Sequence, residues 1–591
     1  MGFHNTEDTD IYKNITEKKE HQTNQNWTLF LFLCVLTVTS ASFQFGYNIS
    51  SLNPPTDILK EFIGNNTYIF EQYHIEKSKF DNLIQNEINL LDEGNLTTYF
   101  PNVSLILKNN SEGSEVYFLS THFLNDENYF KIILKHDSIK TSANLNDSQI
   151  EKMINLQDEV KSMVKFLWTT INCLFVIGGM IGAFTSKFVL DILGRKRGIL
   201  FHNLFSISGS VLVLISSSSK SPICLVISRF LFGIQGGMSC SLIPTYLSEI
   251  SPAALRGQTG VAHQLCLTFG ILVAQILGFK EILGTDTTWN YLLAFPLIPS
   301  ILGSIFLAIC FPESPKALIS KRLTEEAESA LMRLRSRNNV NYELQEIFKE
   351  TSSENGNQQG VSFGELFSSQ KYRWPLITAL VLQMAQQLCG INAVFFYSNS
   401  IFKNAGISGD MIQYAVLSTG VVNFLSTILC TMLIDKLGRK PLLLYPMILI
   451  IIDFILLTIF LYIKGPVFSY LSIVCIMVFI VCFAVGLGPI PFIYAAECFG
   501  QEARGAALAI CMLTNWIANL FLTLCFPILA DLISNNVFII FCVIVFISVI
   551  IIMKKVPETK GKSLEEILIK LNGRNYMSET GNNLLMTEVK A

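Results

Sequence analysis

Charged residues are scarce in this chain. Asp, Glu, Lys and Arg make up 15% of its 591 residues, whereas 50% are hydrophobic and the mean hydropathy is +0.44. The chain lacks the glycine patterns of Walker and Rossmann nucleotide sites and any Ser/His/Asp signature, which argues against ATP-driven pumping and against catalysis. It has no CxxC pair and only seven scattered histidines, so the sequence predicts no metal site and no cofactor. The net charge of -3, without a long basic patch, argues against nucleic acid as a partner.

Two further absences concern the N-terminus and the cysteines. Residues 1–26 are polar and mixed in charge, without the basic, apolar and cleavage regions of a signal peptide, so we expect a cytoplasmic tail. The 14 cysteines fall singly in apolar runs, and none lies in the polar segment at 52–165. No disulfide framework is therefore predicted.

The hydrophobic residues are collected into long runs. The first run, Trp27 to Tyr47, is long enough to cross a bilayer, and eleven more follow between residues 164 and 553. Basic residues gather in alternate connections, and the positive-inside rule places these connections and both termini in the cytoplasm. The sequence thus predicts an all-α, multi-pass membrane protein with twelve transmembrane helices in a lipid bilayer.

The segment at 52–165 is polar, rich in asparagine and free of spanning runs. Its N-x-S/T sequons, which are the glycosylation acceptors we predict, begin at Asn65, Asn95, Asn102, Asn109 and Asn146. Chance sequons in asparagine-rich sequence are the alternative, since Asn14, Asn26 and Asn48 also fit the pattern. The sequons and the positive-inside rule agree on a long extracellular insert, whose partner the sequence does not identify.

Two internal repeats divide the chain. DILGRKRG after the second run is echoed by DKLGRKPL after the eighth, and IPTYLSEISPAALRG after the fourth by IPFIYAAECFGQEARG after the tenth. Nearly equal spacing of such pairs indicates parallel six-helix halves with a substrate between them. The predicted organisation is a cytoplasmic tail at 1–26, a first half at 27–311 that contains the insert, cytoplasmic linker helices at 312–373, a second half at 374–553 and a cytoplasmic tail at 554–591.

The stretch from Gln383 to Tyr397, QMAQQLCGINAVFFY, places amide side chains inside an apolar run. Gln383, Gln386 and Gln387 share one helix face, and unwinding at Gly390 would turn Asn392 toward them. Lipid offers amides no hydrogen-bond partner, so we expect them to face a cavity, where they suit the hydroxyl groups of an uncharged polyol. The alternative is that they join neighbouring helices.

QQLCGINAVFFYS resembles the seventh-helix motif of the facilitative glucose transporter family, the sugar-porter branch of the major facilitator superfamily. The resemblance implies the major facilitator fold, a plasma-membrane location and facilitative transport of a small-molecule hexose by alternating access. FQFGYNIS resembles the family's first-helix FGYN motif. Proton-coupled members of the wider group typically have Asp where Asn48 stands, and an amide cannot carry that proton.

The resemblance also implies further substrate contacts. They are Gln264 on the fifth helix, Asn423 on the eighth, and Trp516 and Asn519 on the eleventh. The tenth helix departs from the family pattern, because AVGLGPIPF has Ala484 for a Glu and Phe492 for a Trp. Phe492 can still cover a sugar face. Because a carboxylate acceptor is lost, we expect either weaker affinity for glucose or preference for a different hexose, fructose included.

Paired charges at the cytoplasmic helix ends predict a gate. They match the family's DxxGRR, Glu-to-Arg, PESPR and PETKG motifs, with Lys187 and Lys316 as departures. We expect the gate residues to pair across the two halves when the inner mouth is shut. They are Asp191, Arg195, Glu249, Arg256, Asp435, Arg439, Glu497 and Arg504. Ordinary positive-inside anchors are the alternative.

Two other functions stay open at this point. One is a sugar receptor of transporter ancestry, which the short C-terminal tail disfavours. The other is proton-coupled sugar symport, which Asn48 opposes and which relies only on Asp453 in the ninth run. A neutral or locally hydrogen-bonded Asp453 is the preferred interpretation, since the ninth helix is peripheral in this layout.

Overall fold

The computed structural model describes residues 27–66, 103–110, 113–120, 131–133, 147–252, 255–355, 361–404, 411–463, 465–533, 536–562 and 564–572. The predicted glycosylation sites Asn95, Asn102 and Asn146 lie outside these residues. Within them, 12 helical segments are long and apolar enough to cross a membrane. The predicted twelve-span, helical membrane fold is confirmed.

The first six spans come from seven helices. They are α1 (Leu29–Ser50), α3 (Asp147–Leu193), α4 (Arg195–Ser219), α5 (Pro222–Ile250), α6 (Arg256–Leu277), and α7 (Trp289–Ala294) followed by α8 (Leu297–Cys310) for the sixth span. Pro296 interrupts the sixth span, because proline supplies no N–H donor to the preceding turn.

The last six spans come from eight helices. They are α13 (Gln370–Leu388) with α14 (Ile391–Asn404), α15 (Met411–Leu437), α16 (Arg439–Tyr462), α17 (Pro466–Val485) with α18 (Ile490–Glu497), α19 (Gln501–Ile533) and α20 (Val537–Lys555). The seventh and tenth spans are thus each broken in two. The break in the seventh span lies at Gly390, as the sequence predicted, and the break in the tenth lies at the Gly and Pro residues of AVGLGPIPF.

Shorter elements lie outside the spans. They are α2 (Thr56–Asn65), β1 (Val103–Asn110), β2 (Gly113–Ser120), β3 (Lys131–Ile133), α9 (Pro315–Ser320), α10 (Thr324–Arg335), α11 (Asn341–Asn355), α12 (Phe363–Ser368) and α21 (Leu564–Asn572). The strands form one antiparallel sheet in the order β1-β2-β3. This sheet was not predicted. Among the sequon asparagines, Asn65 is exposed at the end of α2 and Asn109 lies on β1.

Several pairs of spans join the two halves in the described part of the chain. The second span packs on the eleventh, the fifth on the eighth, and the first on α14 of the seventh. Gln275 Nε2 donates to Thr419 Oγ1 at 3.0 Å between the fifth and eighth spans. Asn53 Nδ2, just after the first span, donates to the backbone carbonyl of Phe395 at 2.9 Å. The Asn53 bond holds the broken seventh span against the first half.

Candidate functional site

The seventh span breaks at Cys389 and Gly390, between α13 and α14. Gly390 has φ of +94°, and a Cβ at this position would lie 2.7 Å from the ring of Phe541. Glycine is therefore required both by backbone conformation and by space. The break turns Asn392 back toward α13, where its Nδ2 donates to Gln387 Oε1 at 2.5 Å. The unwinding predicted at Gly390 thus brings Asn392 to the glutamines.

Five amide side chains meet beside this break, and we call them the amide cluster: Gln383, Gln386, Gln387 and Asn392 of the seventh span and Asn515 of the eleventh. Asn515 Nδ2 donates to the Oε1 atoms of Gln383 at 2.8 Å and Gln386 at 2.5 Å. Asn515 Oδ1 accepts from Gln387 Nε2 at 2.8 Å. An amide group can both donate and accept, and none of the five is charged, so the cluster matches the hydroxyl groups of a neutral ligand.

Asn515 is the member that the sequence analysis missed. It is 5% exposed and bonds to three members of the cluster, so it joins the seventh span to the eleventh. A signal was available, because Asn515 precedes Trp516 in TNWIANL and lies one turn from Asn519 on the same helix face. Its role depends on which helices are neighbours, and sequence spacing does not supply that.

The cluster also reaches the break in the tenth span. Gln386 Nε2 donates to the backbone carbonyl of Gly488 at 2.6 Å, and Gly488 lies in the unwound residues between α17 and α18. Gln383 is fully buried, yet its Nε2 has no hydrogen-bond partner in the described structure. An unpaired buried amide donor is costly, so a ligand oxygen at this position would be stabilised.

Trp516 lies where the two halves meet. Its ring packs on Phe45 of the first span, with centroids 6.0 Å apart, and on the backbone of Gly179 in the second span. The side chain is 4% exposed, and its Nε1 has no hydrogen-bond partner among the described residues. Trp516 therefore presents a flat apolar surface next to Asn515 and carries an indole donor that is available to a ligand.

The other predicted substrate residues do not join the cluster through hydrogen bonds. Asn519 Oδ1 accepts from Thr523 Oγ1 of its own helix at 3.3 Å, and Asn423 is 5% exposed. Gln264 is half-buried on α6, and Phe492 is half-buried on α18. Gln264 and Asn423 nevertheless lie on packed spans, because the rings of Phe269 and Phe424 of those spans are in tilted contact, with centroids 5.6 Å apart. The hydrogen bonds bring the seventh-span amides together with Asn515, and these four residues lie outside that network.

Asp453 lies in the ninth span, where it is 5% exposed. The thiol of Cys475 in the tenth span hydrogen-bonds to its carboxyl group, whereas Asp453 Oδ2 has no partner in the described residues. Ala484, which stands where the family has Glu, is buried in the tenth span at 4% exposure. The local hydrogen bond agrees with the preferred interpretation of Asp453, and neither residue adds a charge to the amide cluster.

In the first half, charges at the helix ends that the sequence predicts to be cytoplasmic form a cluster built around Glu249. Arg195 Nη2 lies 2.7 Å from Glu249 Oε1, and the hydroxyl of Ser314 donates to Glu249 Oε2. The carboxylate of Glu313 accepts the backbone N–H groups of Arg195 at 3.1 Å and Lys196 at 2.9 Å. Glu313 thus accepts from N–H groups at the start of α4 that have no partner within the helix. Its negative charge also interacts favourably with the positive end of the helix dipole.

The second half repeats this arrangement. Arg439 Nη2 lies 2.7 Å from Glu497 Oε1, and Thr559 Oγ1 donates to Glu497 Oε2 at 2.6 Å. Glu558 accepts the backbone N–H groups of Arg439 and Lys440, each at 2.9 Å. Partial burial raises the pKa of Glu558, but backbone N–H donors outweigh that effect and hold it below its ordinary value. The sequence repeat is therefore a repeat of hydrogen-bond geometry.

The charge pairs differ from those that the motifs suggested. Arg195 and Arg439 pair with Glu249 and Glu497 inside their own halves, not with a charge across the mouth. Asp191 is exposed, and the exposed Arg504 donates through Nε to the carbonyl of Phe499 at 3.2 Å. The side chains of Arg256 and Asp435 lie outside the described part of the structure. Pairing across the halves is thus absent among the described gate residues in this conformation.

A family model described as "Sugar (and other) transporter" matches residues 33–570. The facilitated glucose transporter member 2 of solute carrier family 2 from Gallus gallus is 33% identical over 554 residues, which cover 93% of this chain and 95% of that protein. Member 1 from the same organism is 40% identical over 68% of this chain and 82% of its own length.

Among solved structures, the proton:xylose symporter XylE bound to 6-bromo-6-deoxy-D-glucose aligns with a TM-score of 0.62. The alignment covers 92% of this chain and 99% of XylE at 22% identity. An inward-open structure of XylE from E. coli also aligns with a TM-score of 0.62. At this identity the likeness concerns the fold, which is the major facilitator fold.

Proposed function

The chain belongs to the sugar transporter family, within the facilitated glucose transporters of solute carrier family 2, and from this premise we propose that it equilibrates a hexose across the membrane. The relatives are transporters, and this chain is a multi-pass membrane protein. The observation that carries the proposal is the amide cluster. Five neutral amides from two spans converge beside a helix break, with a tryptophan face next to them.

We propose that transport proceeds by alternating access between the halves at 27–311 and 374–553. The Asn53 to Phe395 bond joins the halves on the side that the predicted topology places outside, whereas the cytoplasmic charges are paired within each half. This combination fits a state whose site opens to the cytoplasm. In the opposite state, the charges of the two halves would approach each other and close the inner mouth.

We propose that the protein resides in the plasma membrane. The predicted topology then has both termini and the linker at 312–373 in the cytoplasm and the insert at 52–165 outside the cell. Asn65 and Asn109 carry sequons in the described part of that insert. The orientation is checked by protease protection of tags at each terminus in sealed cells. Cleavage of a terminal tag from outside would contradict it.

Hexose flux in liposomes tests the proposed function. Purified protein should equilibrate labelled glucose, fructose or galactose down its gradient at equal pH on both sides, because the amide cluster contains no titratable group. An imposed pH gradient should not drive accumulation. Accumulation driven by protons would support symport instead, and binding without flux would support a receptor.

The Gln387→Ala variant should lose most hexose flux, with a fall of at least roughly tenfold. The substitution removes the Gln387 Nε2 that donates to Asn515 and the Oε1 that accepts from Asn392. Uptake is measured per transporter at the cell surface, quantified by biotinylation. Normal uptake by this variant would remove the seventh span from the site.

Ala484→Glu should bind glucose more tightly. It restores the carboxylate that the family has at this position, and a charged hydrogen bond contributes about 1.5–3 kcal/mol, or roughly ten- to a hundredfold in affinity. The apparent affinity is measured by glucose inhibition of labelled hexose uptake, with Ala484→Gln as the uncharged control. An unchanged affinity would contradict this explanation of the tenth-span departure.

A further inference from the structure

A guanidinium group without a counter-charge is buried in the first half. Arg229, near the start of α5, is 1% exposed, and its Nη2 donates to the backbone carbonyl of Asn48 at 3.0 Å. Among the described residues, its Nε and Nη1 atoms have no hydrogen-bond partner and no ion pair includes it. Desolvating an ion costs several kcal/mol even after relaxation, so an unpaired cation here would strongly destabilise the fold.

The surroundings of Arg229 offer donors and little negative charge. The ring of Phe175 covers one face of the guanidinium, with 4.4 Å from Cζ to the ring centroid. Such a contact contributes about 2 kcal/mol when desolvated, which is less than the burial cost. Asn48 is 1% exposed, and among the described residues neither its Nδ2 donor nor its Oδ1 acceptor has a partner. At the end of the same span, the hydroxyl groups of Ser50 and Ser51 are buried and also have no partner in the described part of the chain.

We propose that Arg229 and Asn48 form a binding site for a small monovalent anion, with chloride as the physiological ligand. The anion accepts from Arg229 Nε and Nη1 and from Asn48 Nδ2 and supplies the missing negative charge. Water would satisfy these donors but would leave the net charge uncompensated. Full burial favours a monatomic ion over a carboxylate metabolite. The anion has a structural role here and is distinct from the hexose at the amide cluster.

Thermal stability in two salts tests the proposal independently of transport. The purified protein is exchanged into sodium gluconate at neutral pH, and its melting temperature is measured as chloride replaces gluconate at constant ionic strength. Because a ligand that binds the native state stabilises it, we expect a saturable rise of roughly 2–4 °C. Radiolabelled chloride should bind at about one ion per chain under the same conditions. Equal melting temperatures in the two salts would overturn the proposal.

Two carboxylate variants locate the effect. Asn48→Asp places a carboxylate against Arg229, so the melting temperature of this variant at neutral pH should no longer depend on chloride. Asn423→Asp adds the same group in the other half and should keep the wild-type chloride response. If Asn48→Asp is not recovered, Arg229→Met, which removes the cation, should also lose the response. A full chloride response in either Asn48→Asp or Arg229→Met would contradict this site.

Discussion

Replacing Asn515 with leucine should lower hexose uptake about a hundredfold without removing the protein from the membrane. The substitution deletes three hydrogen bonds, to Gln383, Gln386 and Gln387, and leaves their polar atoms unpaired in a buried site. Each bond contributes about 1 kcal/mol, so losing all three should lower transport efficiency by roughly a hundredfold. Leucine has a similar volume, so the packing between the seventh and eleventh spans is retained.

Asn172→Leu provides the matched control for Asn515→Leu. Asn172 is also a buried amide in a spanning helix, but its Nδ2 donates only to the carbonyl of Trp168 in its own helix, at 3.0 Å. Its uptake should therefore stay within a fewfold of wild type. Uptake is measured at several glucose concentrations and normalised to surface protein. Wild-type uptake by Asn515→Leu would remove the eleventh span from the site.

Gly179→Ala should reduce uptake at least roughly tenfold by keeping the halves apart. A Cβ at this position would lie 2.4 Å from the Trp516 ring, which is itself held against Phe45. Overpacking of this kind costs about 1–3 kcal/mol, and this cost falls on the state in which the second and eleventh spans are in contact. The population of that state should fall, and the rate of the transport cycle should fall with it.

Gly505→Ala is the control for Gly179→Ala, because a Cβ at Gly505 meets nothing within 4 Å. The two substitutions have the same chemistry in spanning helices, so they separate the contact with Trp516 from any general effect of alanine. Both are assayed for surface amount and initial uptake rate. If Gly179→Ala behaves as Gly505→Ala does, the close approach of Trp516 to the second span is not needed for transport.

Local sequence signals were sufficient for the spans and for the break in the seventh span. Length and apolar composition predicted the twelve spans, since a bilayer imposes both. Gly390 marked the break in the seventh span, because its positive φ and its contact with Phe541 leave no room for a side chain. The family motifs predicted the fold through their order along the chain.

Long-range contacts could not be predicted in the same way. Helix spacing groups Gln383, Gln386 and Gln387 on one face but does not say that Asn515 will lie opposite them. Likewise, charge motifs identify Arg195 and Glu249 without fixing whether they pair within a half or across the mouth. These choices depend on how whole helices pack, and on which transport state is occupied. The sheet at 103–133 was missed because the insert has no resemblance to the family.

Equilibrium binding of labelled glucose to the purified protein tests the central claim most directly, since binding separates the site from the conformational cycle. Wild-type protein should bind glucose saturably, and unlabelled glucose should displace it. Gln387→Ala and Asn515→Leu should each weaken binding at least roughly tenfold, because each removes hydrogen bonds of the amide cluster. Wild-type affinity in both variants would show that the hexose binds elsewhere, and would contradict the account.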